Sequence, residues 1–529
     1  MNSGARSKLR ILVPVLVALG AALLAGCGGG GNSGGETGGT EGAEATSAPA
    51  HRGGTLNIAQ GEEAIDLDPV TLFAPGDTYL SNQINEPLFK ESTQRKVVPW
   101  LVEKYETSGG QRVWTLHLRK GVKFSNGKPL TSADVVFTLE RVRGNESWTP
   151  YTENIAKVQA TSPSTVVITN KEPAAELKAI LALWPFEITP DNLAGESEKE
   201  FAEHPIGTGP FMLTSWKKGE SMTMDANPHY WQSGKPYVEK LVWHTVTDAN
   251  SRVSQLQGGD LDVVSGIPWA QVEGIENSPE TDFLTGIPLG YVDNIWLNAQ
   301  KPLFKDPRVR EAINLALDRE GMNQAVLLGK GEPAYSLVPP GQPFQDKSLK
   351  APEQDIEKAK ELLAEAVKEG APQPSFTILV QTEDDFWPTA SQIVQQNLEE
   401  AGFKVQLKKL DTSSAIELLE AGEYEAAFGF TFSEMPSPAE AFGFYNGFNG
   451  SFTNADTTKT TKIMAEALST VNEQQRAQHY YELQRIIAEE NYDISVVYKP
   501  YSWAFRDDVS GLFVGVTGIP YFAETSIGG

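Results

Sequence analysis

Cys27 is the only cysteine in the 529-residue chain, so no intrachain disulfide can staple its fold and a hydrophobic core has to hold it together. The length makes such a core feasible, since at roughly 150 residues per domain about three lobes are expected beyond an N-terminal leader. From residue 54 onward no stretch is uniformly apolar over the roughly 18 residues that mark a membrane span. Strand-like and helix-like segments alternate instead, which predicts an α/β protein.

Local signals place many of these elements. Trp114, Leu116 and Leu118 alternate with Val113, Thr115, His117 and Arg119, the period of a strand with one buried face. After turns at Lys120-Gly121 and Asn126-Gly127, Thr131 and Asp134 carry the capping pattern that opens a helix reaching Arg143, with Val135, Val136, Phe137 and Leu139 as its apolar face. Residues 249–257 read as a helix closed by Gly258-Gly259, and 261–264 as a short strand. Helices are predicted over 306–317 and from Ile356 to a stop at Gly370. The clearest repeat is strand 376–380, helix 388–401, strand 403–410, helix 413–421 and strand 424–430, with crossovers that suit a parallel sheet. A last helix at 474–489 precedes strand 494–498.

The position of Cys27 points to export. Arg6, Lys8 and Arg10 precede an uncharged run from 11 to 26, mostly Leu, Val, Ile and Ala, which is the layout of a secretory signal. That run is shorter than the ~20 residues of a spanning helix, and Pro14 interrupts it. Leu24-Ala25-Gly26-Cys27 resembles a bacterial lipobox, so Cys27 is expected to be acylated after cleavage of the bond before it; a cleaved signal with an incidental thiol is the alternative. Residues 28–50 hold no aromatic or branched aliphatic side chain, so they form a flexible tether spanning on the order of 25–30 Å.

Charge and missing motifs exclude several function classes. The formal charge of −25 is broken by no basic cluster, so nucleic acid is not an expected partner. Gly121 to Pro129 has five residues between its glycines and Pro129 where a phosphate loop needs Ser or Thr. Gly207-Thr-Gly209-Pro210 lacks the strand context of a dinucleotide fingerprint, and no cofactor is expected. From residue 53 onward there is no Gly-x-Ser-x-Gly elbow and no His-Glu-x-x-His, so neither catalytic residues nor metal ligands are assigned. Asp260 and Asp262 have the spacing of paired carboxylates, but alternation along a strand with Asp262 at an edge accounts for them better.

Two segments are candidates for ligand contact. Glu383-Asp384-Asp385-Phe386-Trp387 lies between a strand and a helix, where ligand loops of α/β sheets sit, and offers carboxylates and a ring to a cation. A solvated acidic loop with a half-buried Trp387 is the competing account. Phe428, Phe430, Phe432, Phe442, Phe444, Tyr445, Phe448 and Phe452 concentrate aromatic surface; many belong to the core, and those near Ser433 and Glu434 are placed to stack on a ligand. The expected binding set is Trp387, Asp385, Phe430, Phe432, Ser433 and Glu434.

Taken in order, five segments resemble the family 5 extracellular solute-binding proteins, the oligopeptide- and dipeptide-binding receptors of ATP-binding-cassette (ABC) importers. They are Asn85-Glu-Pro-Leu-Phe89; the run from Trp114 to Phe137; Gly207-Thr-Gly-Pro-Phe211; Asn227-Pro-His-Tyr-Trp231 with Gly234-Lys-Pro236; and Leu297-Asn298 through Pro307 to Asp318. Coverage runs from about Gly53 to Tyr498. The resemblance implies a type II periplasmic-binding-protein-like fold with two hinged lobes, a third subdomain inserted near 90–205, and a ligand enclosed between the lobes. The implied division is signal peptide 1–26, lipidated linker 27–52, lobe I at 53–89, 206–297 and 501–529, and lobe II at 298–500. The implied function is capture of a small peptide or similar solute and delivery to membrane permease subunits, with no reaction performed.

The resemblance weakens where the ligand would be read. Peptide-binding relatives carry an aspartate for the peptide amino group in a Gly-Trp-Thr-Gly-Asp-like segment, which here is Gly429-Phe-Thr-Phe-Ser433-Glu434. Glu434 substitutes only if the loop shifts by one. Dipeptide-specific relatives place an arginine near the loop that is Thr382-Glu383-Asp384-Asp385 here, and that arginine is absent. Longer peptides held by backbone contacts, oligosaccharides stacked on aromatics and a cationic solute stay open, as does a surface hydrolase acting on peptides or glycans.

Overall fold

The structure, a computed structural model, describes residues 52–528 except 73–74, 95, 286–290, 383–385, 433–436, 448–451 and 516–517. Three main sheets organise the described residues. The seven-stranded sheet of lobe I runs Thr281–Thr285, Ser502–Arg506, Val263–Ser265, Thr55–Gln60, Lys240–Thr245, Ser221–Ala226 and Phe211–Lys217. Thr55–Gln60 is central and pairs in parallel with both Lys240–Thr245 and Val263–Ser265. Leu56 and Ile58 enter one core from this strand while Ala59 enters another, so both faces of the sheet are covered.

The six-stranded sheet of lobe II runs Glu332–Pro333, Asp493–Tyr498, Tyr291–Leu297, Ala426–Phe432, Ser375–Gln381 and Lys404–Leu410. Ser375–Gln381 pairs in parallel with Lys404–Leu410 and with Ala426–Phe432, as the helical crossovers Trp387–Glu400 and Thr412–Glu420 require. Tyr291–Leu297 pairs antiparallel with both of its neighbours. Tyr291–Leu297, assigned to lobe I by the boundary expected after residue 297, thus lies in the six-stranded sheet. An apolar run announces a strand, but its sheet partner is chosen by tertiary packing.

A four-stranded antiparallel sheet within 90–205 joins Val102–Ser108, Val113–Leu118, Thr165–Asn170 and Ile155–Ser162, and helix Ser132–Gly144 packs on it. Trp114, Leu116 and Leu118 point into this core, as their alternation predicts. The Thr131 amide donates to Asp134 Oδ2 at 2.7 Å, which fastens the start of the helix. Its buried face is Val135, Thr138, Leu139 and Val142; Val136 and Phe137 are half-exposed because a 3.6-residue period turns them away.

Two local readings change. Asp262 does not sit at an edge: it precedes the interior strand Val263–Ser265, and its Oδ2 accepts the backbone and side-chain N–H groups of Asn57 at 2.7 and 3.1 Å. Burial pushes its pKa up, against the pull of those two donors. The Gly207–Gly209 turn is a close approach of two backbones, since a Cβ at Gly207 would come within 2.0 Å of the Ile84 carbonyl oxygen.

Candidate functional site

The chain passes between the two large sheets twice, from strand Thr281–Thr285 to strand Tyr291–Leu297 and again at 499–501. Beside the second crossing, residues from four segments of lobe II converge. Tyr291 and Phe430 stack with ring centroids 4.9 Å apart and planes 19° from parallel, because strands Tyr291–Leu297 and Ala426–Phe432 pair there. Trp387, which opens helix Trp387–Glu400, continues the stack on the far face of Phe430 at 5.9 Å. Its indole Nε1 donates to Asp293 Oδ1 at 2.6 Å, a fully buried carboxylate on the central strand. Lys499 Nζ approaches the same oxygen at 3.8 Å, and the rings of Tyr291, Phe386 and Trp387 lie 5.6 to 5.9 Å from it. A carboxylate, an ammonium and three stacked rings thus share one low-dielectric corner, where charge interactions are strong. The described residues of the corner include no histidine, serine or cysteine.

A second set of contacts closes the gap between the inserted subdomain and lobe II. Glu176 Oε1 meets Arg476 Nε at 2.7 Å, and its Oε2 accepts Ser437 Oγ at 2.9 Å. The Ala175 amide donates to the Leu468 carbonyl at 2.9 Å, and Tyr151 Oη donates to the Glu440 carbonyl at 3.1 Å. Tyr151 lies so close to helix Ala439–Gly447 that a Cβ at Gly443 would fall 2.6 Å from its ring. Tyr480, fully buried nearby, has its hydroxyl pKa pushed up by burial and so stays protonated. These bonds join the inserted subdomain to lobe II, parts that a hinge between the lobes would separate.

Of the residues expected from sequence to contact ligand, the structure unites Trp387 and Phe430. Trp387 is buried, where the solvated-loop account had it half-exposed, because its indole is tied to Asp293. Phe432 ends the strand opposite Tyr291, and its side chain lies outside the described residues, as do Cys27, Asp385, Ser433 and Glu434. Tyr291, Asp293 and Lys499 were not among the residues expected there, and Phe386, from the candidate loop, joins them. Asp293-Asn294 inside the apolar strand Tyr291–Leu297 was the available signal, since a carboxylate is rarely buried without a partner. Lys499 brings a cation to the neighbourhood in which the sequence showed no arginine. Among the described residues no group of three His, Cys, Asp or Glu side chains is placed to hold a metal, and no helix is long and apolar enough to cross a membrane.

Known proteins resemble this chain in sequence and in fold. The glutathione-binding protein GsiB of Salmonella choleraesuis (strain SC-B67) is 28% identical over 484 residues, covering 88% of this chain and 93% of its own length. The probable D,D-dipeptide-binding periplasmic protein DdpA of Escherichia coli (strain K12) is 26% identical over 426 residues, 78% of this chain and 81% of its own. Among solved structures, the ABC transporter-associated periplasmic binding protein DppA from Helicobacter pylori, in complex with peptide STSA, superposes with a TM-score of 0.82 at 23% identity, covering 90% of this chain and 99% of that one. The model of the bacterial extracellular solute-binding proteins, family 5 (Middle), matches residues 96–453. The chain therefore belongs to the family 5 bacterial extracellular solute-binding proteins.

Proposed function

We propose that this chain is a lipid-anchored receptor that captures a short peptide or peptide-like solute between its two lobes and hands it to an ABC permease, without chemical turnover. The observation that carries the reading is the closed arrangement: a hinge-side corner of rings and charges, with the subdomain shut on lobe II through Glu176, Tyr151 and Ala175. Ligand favours such a state by touching both sides of the gap. Two curated relatives are named for glutathione and D,D-dipeptide binding, which supports the substrate class. Stacked rings suit side chains, and the Asp293–Lys499 pair suits the charged termini of a peptide. Acylation of Cys27 and the tether at 28–50 would keep the receptor at high local concentration beside its permease.

Native mass spectrometry of the purified protein, followed by small-angle scattering with glutathione and a dipeptide library, tests the reading. A retained or offered peptide that contracts the protein is expected; a protein that stays unchanged with every peptide, or that hydrolyses one, overturns it. Metabolic labelling with a fatty acid, lost in Cys27→Ser, tests the anchor separately.

A further inference from the structure

A second cavity, of about 390 Å³, opens between the seven-stranded lobe and the inserted subdomain. Every residue lining it lies within 82–100, 182–232 or 511–524, so lobe II contributes nothing to it. Its volume falls in the ~300–1,000 Å³ range of small-molecule sites and far exceeds an ordinary packing gap. Trp100, Tyr230, Phe513 and Tyr521 give its wall an aromatic side, which it shares with Lys90 and the carboxylates of Glu86, Glu91 and Glu524.

Lys90 reaches into this space from the short strand Phe89–Glu91, whose other two residues are buried. Its Nζ lies 4.6 Å from the Trp100 ring centroid and 3.9 Å from that of Tyr521. Among the described residues these ring faces are its only partners, and no carboxylate comes within ion-pair distance. The adjacent Glu86 is already engaged by Trp100, Trp231, Tyr230 and Thr208. Burial raises the pKa of Glu86, against the hydrogen bonds it accepts from Thr208, Trp100 and Trp231, and raises that of Glu187 well above the usual range. Burial also draws Lys90 down to about 8, although neighbouring carboxylates oppose it. Lys90 thus touches ring faces directly and has the carboxylates of Glu86, Glu187 and Glu524 only at longer range.

We propose that this cavity is a second ligand site, for a small aromatic carboxylate: the carboxylate pairs with Lys90 and the ring lies against the aromatic wall. A bare inorganic anion would meet one cation and leave the wall unused. The site is independent of the interlobe cleft, so a ligand here does not require closure.

Phenylacetate is the probe, with phenylacetamide as its uncharged control, titrated calorimetrically into the full protein. Saturable one-to-one binding is expected, with the amide at least ~10-fold weaker. Lys90→Met should lose ~10-fold or more while Lys90→Arg retains affinity, and neither should alter binding of a cleft peptide. In the wild type, phenylacetate affinity should be full below pH 8 and fall as pH rises through and above about 8, because the anion needs the charged amine. The wild-type pH series and the amide control remain decisive if Lys90→Met does not fold. No saturable binding of phenylacetate, 4-hydroxyphenylacetate or indole-3-acetate at roughly 10 mM overturns the proposal. So does equal binding of the amide, or affinity that survives in Lys90→Met.

Discussion

Glu176 of the inserted subdomain and Arg476 of lobe II meet at 2.7 Å with side chains only 9% and 13% exposed, and Ser437 occupies the second carboxylate oxygen. Both charges would regain water if the lobes parted, so the pair is formed at the cost of desolvation and belongs to the closed state.

Glu176→Gln keeps the shape and removes the charge, leaving Arg476 without its counter-ion. Breaking one side of a buried pair costs about 3 kcal/mol, so apparent ligand affinity should fall roughly 100-fold. Isothermal titration reads the loss, and scattering should show a more open protein at subsaturating ligand. Unchanged affinity would mean that the gap closes without this pair.

Gly443→Ala drives a methyl group into the Tyr151 ring. Overpacking costs about 1–3 kcal/mol, and because Tyr151 and Gly443 lie on opposite sides of the gap the cost falls on closure. Ligand dissociation should quicken by about 10-fold in stopped-flow fluorescence, while the melting temperature of the ligand-free protein stays near wild type. A large loss of ligand-free stability would place the effect in folding instead.

Trp387→Phe preserves the stacked ring and removes the indole N–H that holds Asp293. Loss of a donor to a buried carboxylate costs about 2 kcal/mol, expected as a lower melting temperature together with weaker ligand binding. Trp387→Phe combined with Asp293→Asn should recover part of the stability, because a neutral amide loses less than a carboxylate when the indole donor is gone.

Asp493 lies at the end of strand Asp493–Tyr498, where burial raises its pKa from 3.8 to about 8 against the pull of a hydrogen bond from Trp296. The folded state holds this proton more tightly than the unfolded chain does. Its stabilising contribution is therefore complete below pH 3.8 and is lost as pH rises through about 8. Asp493→Asn should flatten that part of the profile and stabilise the protein at pH 8 by about 1–3 kcal/mol, measured by urea denaturation across the pH series.

Local structure was legible in residues close together along the chain. The alternation at 113–118 gave a strand that buries the expected residues, and the repeat at 376–430 gave a parallel ladder, because side-chain period and crossover length act over a few turns. The family was legible in ordered motifs, and the comparisons confirm it. Even within an element the resolution had limits, as Val136 and Phe137 show: both are apolar, but helix geometry turns them from the core.

Sequence alone determined an α/β chain held by its core, since periodicity, caps and an absence of disulfides are properties of neighbouring residues and of composition, and its ordered motifs marked the resemblance to a family. Only the tertiary structure decided that Tyr291–Leu297 belongs to lobe II, that Lys499 and Asp293 join Trp387 and Phe430, and that Glu176 faces Arg476. Those pairs lie far apart in the chain, and strand partnering and burial, which no local pattern encodes, bring them together.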